Sequence, residues 1–477
     1  MARRWGMALI LAGMVACGGV SGGRDAPSEV PDADDSSGAD EEASAPEVPG
    51  DIESDSGPPL PCPPGSWPRG PFAPFGELGN PMIQIHPAVV FDGQSLWWAF
   101  NLPAGDGSGN LSPWAARTAC DGTVEVAPFP VATAGHNAVD PAVAWSEETV
   151  LVAWQADVPE EAPANMSVRV RAFDRDGNPR TSDAIRVVPR PAGTETVATL
   201  WLPSLAPAAT GFLLSATLAD PARGRFQALL SRLGIDGNPL VAGDGEEGDW
   251  MPAPEEGVNQ AYSVAVEQDG LWIAWVRSPD EDPDQVQIAR ARSFGGPLDG
   301  PPEPFPDALT AGSAPVLASR GGATPVVILG ASIGASDASI RIRQVHPVPP
   351  GATDLVIDAP GRQDLAPALA LDDTGGAVAW FRIRSGYLAD VRFQAFAREP
   401  GELRALGDEM LLNEGEGGEP HDAIAAYPVA ITSVGTGAYL VSWVERRKVA
   451  GQDPRYQVMA RFLGSGGIPR IPGNSSP

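Results

Sequence analysis

The chain is poor in the residues that metal sites and disulfide-dense scaffolds use most. Its 477 residues include three cysteines and four histidines. Three cysteines exclude a disulfide-dense fold, and four histidines leave few ligands for a soft-metal site. Lysine occurs once, at Lys448. The 32 basic residues face 61 acidic ones, for a formal net charge of −29. So negative a chain repels nucleic-acid phosphates and anionic lipid, which excludes both as non-specific partners. Also absent are the phosphate loop, the dinucleotide glycine fingerprint, the His-Glu-x-x-His pair and the Gly-x-Ser-x-Gly elbow. Glycine and proline are abundant instead, at 55 and 51 residues. That density of punctuation suits short strands joined by turns rather than long helices. Hydrophobic residues make up 43% of the chain, enough for a sizeable core.

The N-terminus reads as a targeting signal. Arg3 and Arg4 precede an apolar stretch from Met7 to Val15, too short to span a bilayer as a helix. The stretch ends in Met14-Val15-Ala16-Cys17 and is followed by Gly18-Gly19. This block resembles the lipobox of bacterial lipoproteins. The resemblance implies that residues 1–16 are a signal peptide and that Cys17 is the lipid-attachment site. It also implies a palmitate-bearing anchor at the outer membrane, facing the periplasm or the cell surface. An ordinary secretory signal with a chance cysteine is the other reading.

Residues 17–60 are expected to form a disordered tether. Within 24–60, twelve residues are Asp or Glu, six are Pro, six are Ser and none is aromatic. Such a segment cannot bury enough apolar surface to offset its ordering entropy. As a flexible coil it would span on the order of 33 Å, and more through charge repulsion.

Residues 61–477 are expected to form one domain, and past residue 80 the chain repeats itself. Pro87-Ala88-Val89-Val90-Phe91 leads to Leu96-Trp97-Trp98-Ala99-Phe100, and Pro141-Ala142-Val143-Ala144-Trp145 leads to Val150-Leu151-Val152-Ala153-Trp154. Comparable pairs of apolar runs begin at 203, 262, 315, 367 and 428, so the mean spacing is about 57 residues. A third, alternating run follows in each unit, and a weaker fourth in several. Unbroken apolar runs imply strands buried on both faces, as in sheets stacked side by side. The expected fold is all-β, a seven-bladed β-propeller, with six or eight blades as the alternatives. The last unit lacks a clear fourth strand, and the orphan run Met82–Ile85 is expected to supply it by pairing with 456–462 and closing the ring. The pattern resembles the propeller-type repeat lipoproteins of myxobacteria and related bacteria. It matches no WD, kelch or sialidase Asp-box block.

Chemistry is sparse. His86, His136 and His421 precede first strands but at unequal distances from the following proline, which argues against a shared three-His site. Asp174-Arg175-Asp176-Gly177-Asn178 looks like the start of a calcium loop but lacks the later bidentate Glu. It reads as a turn. No cofactor is required, and Ca2+ is the one such a loop or an acidic face would accommodate. Third-strand arginines, among them Arg117, Arg171, Arg232, Arg290, Arg343 and Arg392, are expected to lie over apolar surface and pair with acids, with an anion-binding belt as the other reading. Two sets of loops should share one face of the ring. They carry Asp140, Asp157, Glu160, Glu161, Asp220, Asp280, Glu281, Asp282, Asp284, Asp364 and Asp422, a candidate acidic binding face. It would suit a cationic protein or envelope ligand, or serve only as a solvated rim. Cys62 and Cys120 read as a disulfide in an oxidising compartment, with two free thiols as the alternative. The expected role is a membrane-anchored extracytoplasmic binding or scaffold lipoprotein. The competing class is a carbohydrate-active lyase or hydrolase built on the same ring.

Overall fold

The structure, a computed structural model, describes residues between 62 and 464 apart from 63–65, 69, 77–84, 133–136, 158–165, 183, 188–198, 209, 221–224, 241–248, 251–257, 268–269, 279–283, 306–312, 321–325, 335–337, 349–352, 359–360, 400–401, 415–420 and 448–454. The expected signal peptide, Cys17 and the tether fall outside these residues.

The described residues form strands and turns and no helix. In chain order the strands sort into seven antiparallel groups. Unit 1 holds β1 (Ile85–Phe91), β2 (Leu96–Pro103), β3 (Leu111–Thr118) and β4 (Val124–Pro130). Unit 2 holds β5 (Asn137–Ser146), β6 (Thr149–Asp157), β7 (Met166–Asp174) and β8 (Ile185–Val187). Unit 3 holds β9 (Thr199–Ala208), β10 (Gly211–Asp220), β11 (Arg225–Leu233) and β12 (Asp249–Trp250). Unit 4 holds β13 (Val258–Glu267), β14 (Gly270–Ser278), β15 (Gln285–Ala291) and β16 (Glu303–Phe305). Unit 5 holds β17 (Val316–Arg320), β18 (Val326–Ile333), β19 (Ser339–His346) and β20 (Leu355–Ile357). Unit 6 holds β21 (Asp364–Leu371), β22 (Gly375–Ser385), β23 (Leu388–Glu399) and β24 (Glu402–Leu411). Unit 7 holds β25 (Asp422–Ile424), β26 (Ala430–Gly435), β27 (Ala438–Arg447) and β28 (Arg455–Gly464).

Units 1, 2 and 5 are separate four-stranded meanders. Units 3 and 4 touch through one parallel bridge, Phe226 to Val258. Units 6 and 7 are joined by β25, which pairs with both β23 and β27. The first strands contact one another in the cyclic order β1, β5, β9, β13, β17, β21, β26 and back to β1. Four-stranded sheets arranged radially around their first strands make a β-propeller.

The burial pattern follows from this arrangement. Second strands lie between neighbouring sheets, so β2, β6, β18 and β27 are buried over almost their whole length. Their tryptophans, Trp97, Trp98, Trp154, Trp275, Trp380 and Trp443, are among the largest fully buried side chains. First strands such as β1 and β5 are only half buried, because an innermost strand also borders the axis.

In units 2 and 3 the turn between the third and fourth strands docks on the unit before. Asp174 caps its turn by accepting from the N–H groups of Asp176 and Asn178. Gly177 sits there at φ +84°, and a Cβ on it would meet Val126 and Phe129 of unit 1. Gly237 repeats this at φ +80° against Leu151 of unit 2. A positive φ and a close neighbour both call for glycine. The calcium-like run is thus a turn that locks two units together.

The N-terminal segment joins the two ends of the ring. Phe72 and Ala460 of β28 exchange backbone hydrogen bonds of 2.9 and 2.8 Å. Trp67 and Phe72 stack on Phe462, and Phe75 packs on Phe100 and Trp98. Cys62 and Cys120 form a disulfide within the same cluster. The expected closing run Met82–Ile85 is described only at its last residue. Residues 82–84 lie outside the described ones, and Ile85 belongs to β1, opposite Asn101 of β2. β28 pairs with β27 along one edge, and on the other its Ala460 bridges to Phe72.

Candidate functional site at the axial mouth

A proline in the first strand bends it. In units 1, 2, 3 and 6 the residue before that proline and the proline itself face a single residue of the second strand, a β-bulge. Unit 4 has the same bulge at Ala261 and Tyr262, opposite Trp275. Three pre-proline residues sit in the left-handed region: His86 at φ 53°, Asp140 at 50° and Ala366 at 51°. A residue before proline ordinarily adopts extended backbone, so this repeated exception is imposed by the ring. In unit 7 the first strand is interrupted between β25 and β26, and the residue before Pro428 is Tyr427.

The bulge position holds His86, Asp140, Leu202, Ala261 and Ala366 in units 1, 2, 3, 4 and 6, and the residue before the repeat proline in units 5 and 7, just ahead of the paired strand, is Ala314 and Tyr427. The chemistry is concentrated in units 7, 1 and 2. His86 Nδ1 lies 2.7 Å from Asp140 Oδ1, and the His86 ring meets the ring of Tyr427 edge-on at 4.8 Å. Tyr456 stands perpendicular to Tyr427 at 6.5 Å. Two inner strands, β1 and β5, and the segment between β25 and β26 thus bring side chains of three units together. Burial, with Tyr456 nearby, pushes the Tyr427 hydroxyl above the ordinary phenol value, so it stays protonated.

Outside the mouth, at the same strand ends, runs a relay of ion pairs through units 6 and 7. Arg382 forks onto Asp364 at 2.8 and 2.9 Å and onto Glu409 at 2.5 and 2.8 Å. Arg392 joins Glu409 to Asp390, Arg384 joins Asp390 to Asp422, and Arg446 also binds Asp422. Burial opposes the Arg382 charge, yet Asp364 and Glu409 more than compensate and hold its pKa above the ordinary value. His421 Nδ1 touches Glu445, whose carboxyl is raised by burial against the pull of His421 and Arg447.

The residues of the candidate acidic face have different fates. Asp140 is at the mouth. Asp364 is fully buried and Asp422 half buried, both held by arginines. Asp157 ends β6 and is half buried opposite Asn137. Asp284 is half buried just before β15. Asp220 ends β10 opposite Arg225, with its side chain outside the description. Glu160, Glu161, Asp280, Glu281, Asp282 and His136 lie outside the described residues. Third-strand arginines pair as expected: Arg117 with Glu125, Arg290 with Glu267 and Asp299, Arg343 with Asp354. Several also lie over rings, Arg343 over Phe305 at 4.6 Å. Among the described residues no cluster of His, Cys, Asp and Glu is arranged to hold a metal ion. Sequence reasoning missed Tyr427 and Tyr456. Comparing the residue before each repeat proline would have found Tyr427.

No protein-family model matches the chain. No curated protein matches it in sequence. Among solved structures, it is similar to a protein of unknown function from Dyadobacter fermentans, at 12% identity and TM-score 0.42 over 79% of this chain and 94% of that one. It is also similar to the β-propeller domain of the Trilobed protease from Pyrococcus furiosus, at 7% identity and TM-score 0.43 over 80% and 97%. A sialidase of Trypanosoma rangeli matches at 9% identity and TM-score 0.43 over 65% and 53%.

Proposed function

We propose that this chain is a membrane-anchored extracytoplasmic binding protein of a bacterial envelope, and that its ligand is held at the axial mouth. The observation that carries the reading is the meeting of Tyr427, His86 and Asp140 from units 7, 1 and 2. Binding sites form where a rigid scaffold converges a few polar and aromatic groups on one opening. The anchor rests on the run ending in Ala16-Cys17 and the acidic stretch after it.

Outside the mouth, Asp364, Asp390, Glu409 and Asp422 are all in ion pairs with arginine, which withdraws them from acid–base work. A carboxylate locked to a guanidinium is a poor general acid or base.

Two measurements test the reading. Protein extracted from the envelope in mild detergent should carry a ligand mass by native mass spectrometry, and Tyr427→Ala should lack it. Identical spectra would overturn the mouth as the site. A palmitate analogue fed to cells should label the wild type and not Cys17→Ser, and the variant should leave the membrane fraction. Equal labelling would remove the anchor.

A further inference from the structure

Resting on the reading of the mouth as the ligand site, we propose that it takes the ammonium or guanidinium end of its ligand, held between the Asp140 carboxylate and the ring of Tyr427. The charges point this way. Arg382, Arg384, Arg392 and Arg446, at the neighbouring strand ends, are each engaged by carboxylates, so none of these four is uncommitted for an anion. Asp140 contacts His86 through Oδ1 and keeps 25% of its side-chain surface exposed. The whole chain adds a long-range field of the same sign, with a net charge of −29.

The aromatic groups point the same way. A tyrosine ring attracts a cation to its face, and most strongly where water is partly excluded. Tyr427 is half buried, and its edge-on contacts with His86 and Tyr456 fix the plane of its ring.

The shape of the mouth is lopsided in a way that suits an end-on ligand. Unit 6 keeps the bent pre-proline backbone, φ 51° at Ala366, yet carries only a methyl group there. The Ala366 N–H is fixed by Ser313 Oγ of unit 5 at 3.0 Å, and Ala314 follows Ser313 at the corresponding position. Units 5 and 6 thus carry only methyl groups at these two places. The stem behind a cationic head can lie along this alanine arc.

The test uses the detergent-solubilised full chain and four probes of one shape: n-butylammonium, n-butylguanidinium, n-butanol and n-butyrate, titrated by calorimetry. The two cations should bind, and the alcohol and the carboxylate should not. Asp140→Asn and Tyr427→Leu should each weaken cation binding about tenfold, whereas Tyr427→Phe should keep it, since the ring face is retained. A near-ultraviolet dichroism spectrum matching the wild type certifies each variant as folded. If butanol or butyrate binds as tightly as the cations, and Tyr427→Leu abolishes it, the cation assignment fails and the mouth survives as a site. If no probe binds, or folded Asp140→Asn and Tyr427→Leu bind all probes like the wild type, both fail.

Discussion

The Asp372 carboxylate receives hydrogen bonds from two units at once. Its Oδ1 accepts from the N–H groups of Thr374 and Gly375 in its own turn. Its Oδ2 accepts from the Gly437 N–H and the Tyr439 hydroxyl of unit 7, both at 2.6 Å. Burial alone would raise its pKa, but the Tyr439 hydroxyl and these N–H groups outweigh it and hold the carboxyl below 3.8. Tyr439 moves the other way, above 10.0, through burial and then Asp372. The signs bound a pH window. A depressed carboxyl stabilises the fold above its unfolded value, and that contribution disappears as pH falls through the folded value. A raised phenol stabilises below its unfolded value and loses the contribution as pH rises past it. Asp372→Asn should cost about 2 kcal/mol in urea unfolding at neutral pH. The difference from wild type should shrink below about pH 4. Arg382 is the second decisive residue. Removing it as Arg382→Ala leaves the buried Asp364 unpaired, which should cost about 3–5 kcal/mol in the same assay. The double variant Arg382→Leu with Asp364→Leu should recover most of that loss, since the penalty lies in the orphaned charge.

At the scale of elements, the repeats were legible because each unit spells out its buried second strand in an unbroken apolar run. The tryptophans that end several of those runs face the bulge in the first strand, as Trp154 faces Asp140 and Pro141. The bulge itself was not legible, since a proline at a strand start and one inside a bent strand look alike in sequence. That ambiguity hid the mouth: the histidines stand at unequal offsets, whereas the recurring position is filled by different residue types. The closing segment escaped for a similar reason. Pro71-Phe72-Ala73-Pro74-Phe75 lacks the alternation of a strand, and the bridge at Phe72 is too short to need one. Turn packing offers a clean test of how units lock together. A Cβ at Gly237 would approach Leu151 Cδ1 to 3.0 Å on a backbone at φ +80°. Gly237→Ala should therefore lower stability by about 1–2 kcal/mol, read as a lower melting temperature. Asp176→Asn, on the exposed turn of unit 2, should change it by less than about 0.5 kcal/mol.

For the whole molecule, the ring is closed by residues far apart in the chain, and its integrity depends on the N-terminal segment. Deleting residues 61–76 removes Cys62, Trp67, Phe72 and Phe75 together and uncovers the β28 edge and Phe462. That truncation should lower the melting temperature of the whole ring, whereas deleting 24–57 should leave it unchanged. If both melt like the intact chain, the segment does not close the ring. The disulfide can be separated from the packing. Its sequence separation is 58. A loop of that length is worth about 4 kcal/mol in the chain-entropy account. Cys62→Ala with Cys120→Ala should therefore destabilise strongly while leaving the Phe72 bridge in place.

The position of that crosslink also decides how the ring carries mechanical load. Cys62 lies ten residues ahead of Phe72, so a pull arriving along the chain from the N-terminal side reaches the disulfide first. The covalent bond passes the tension to Cys120, in the third-strand turn of unit 1. The load thus bypasses Phe72, and its two hydrogen bonds to Ala460 are spared the shear. With the bond reduced, the same pull would fall directly on the seam and peel the N-terminal segment from β28. A protein held in place by its N-terminus would thus load this seam in a reducing environment and spare it in an oxidising one.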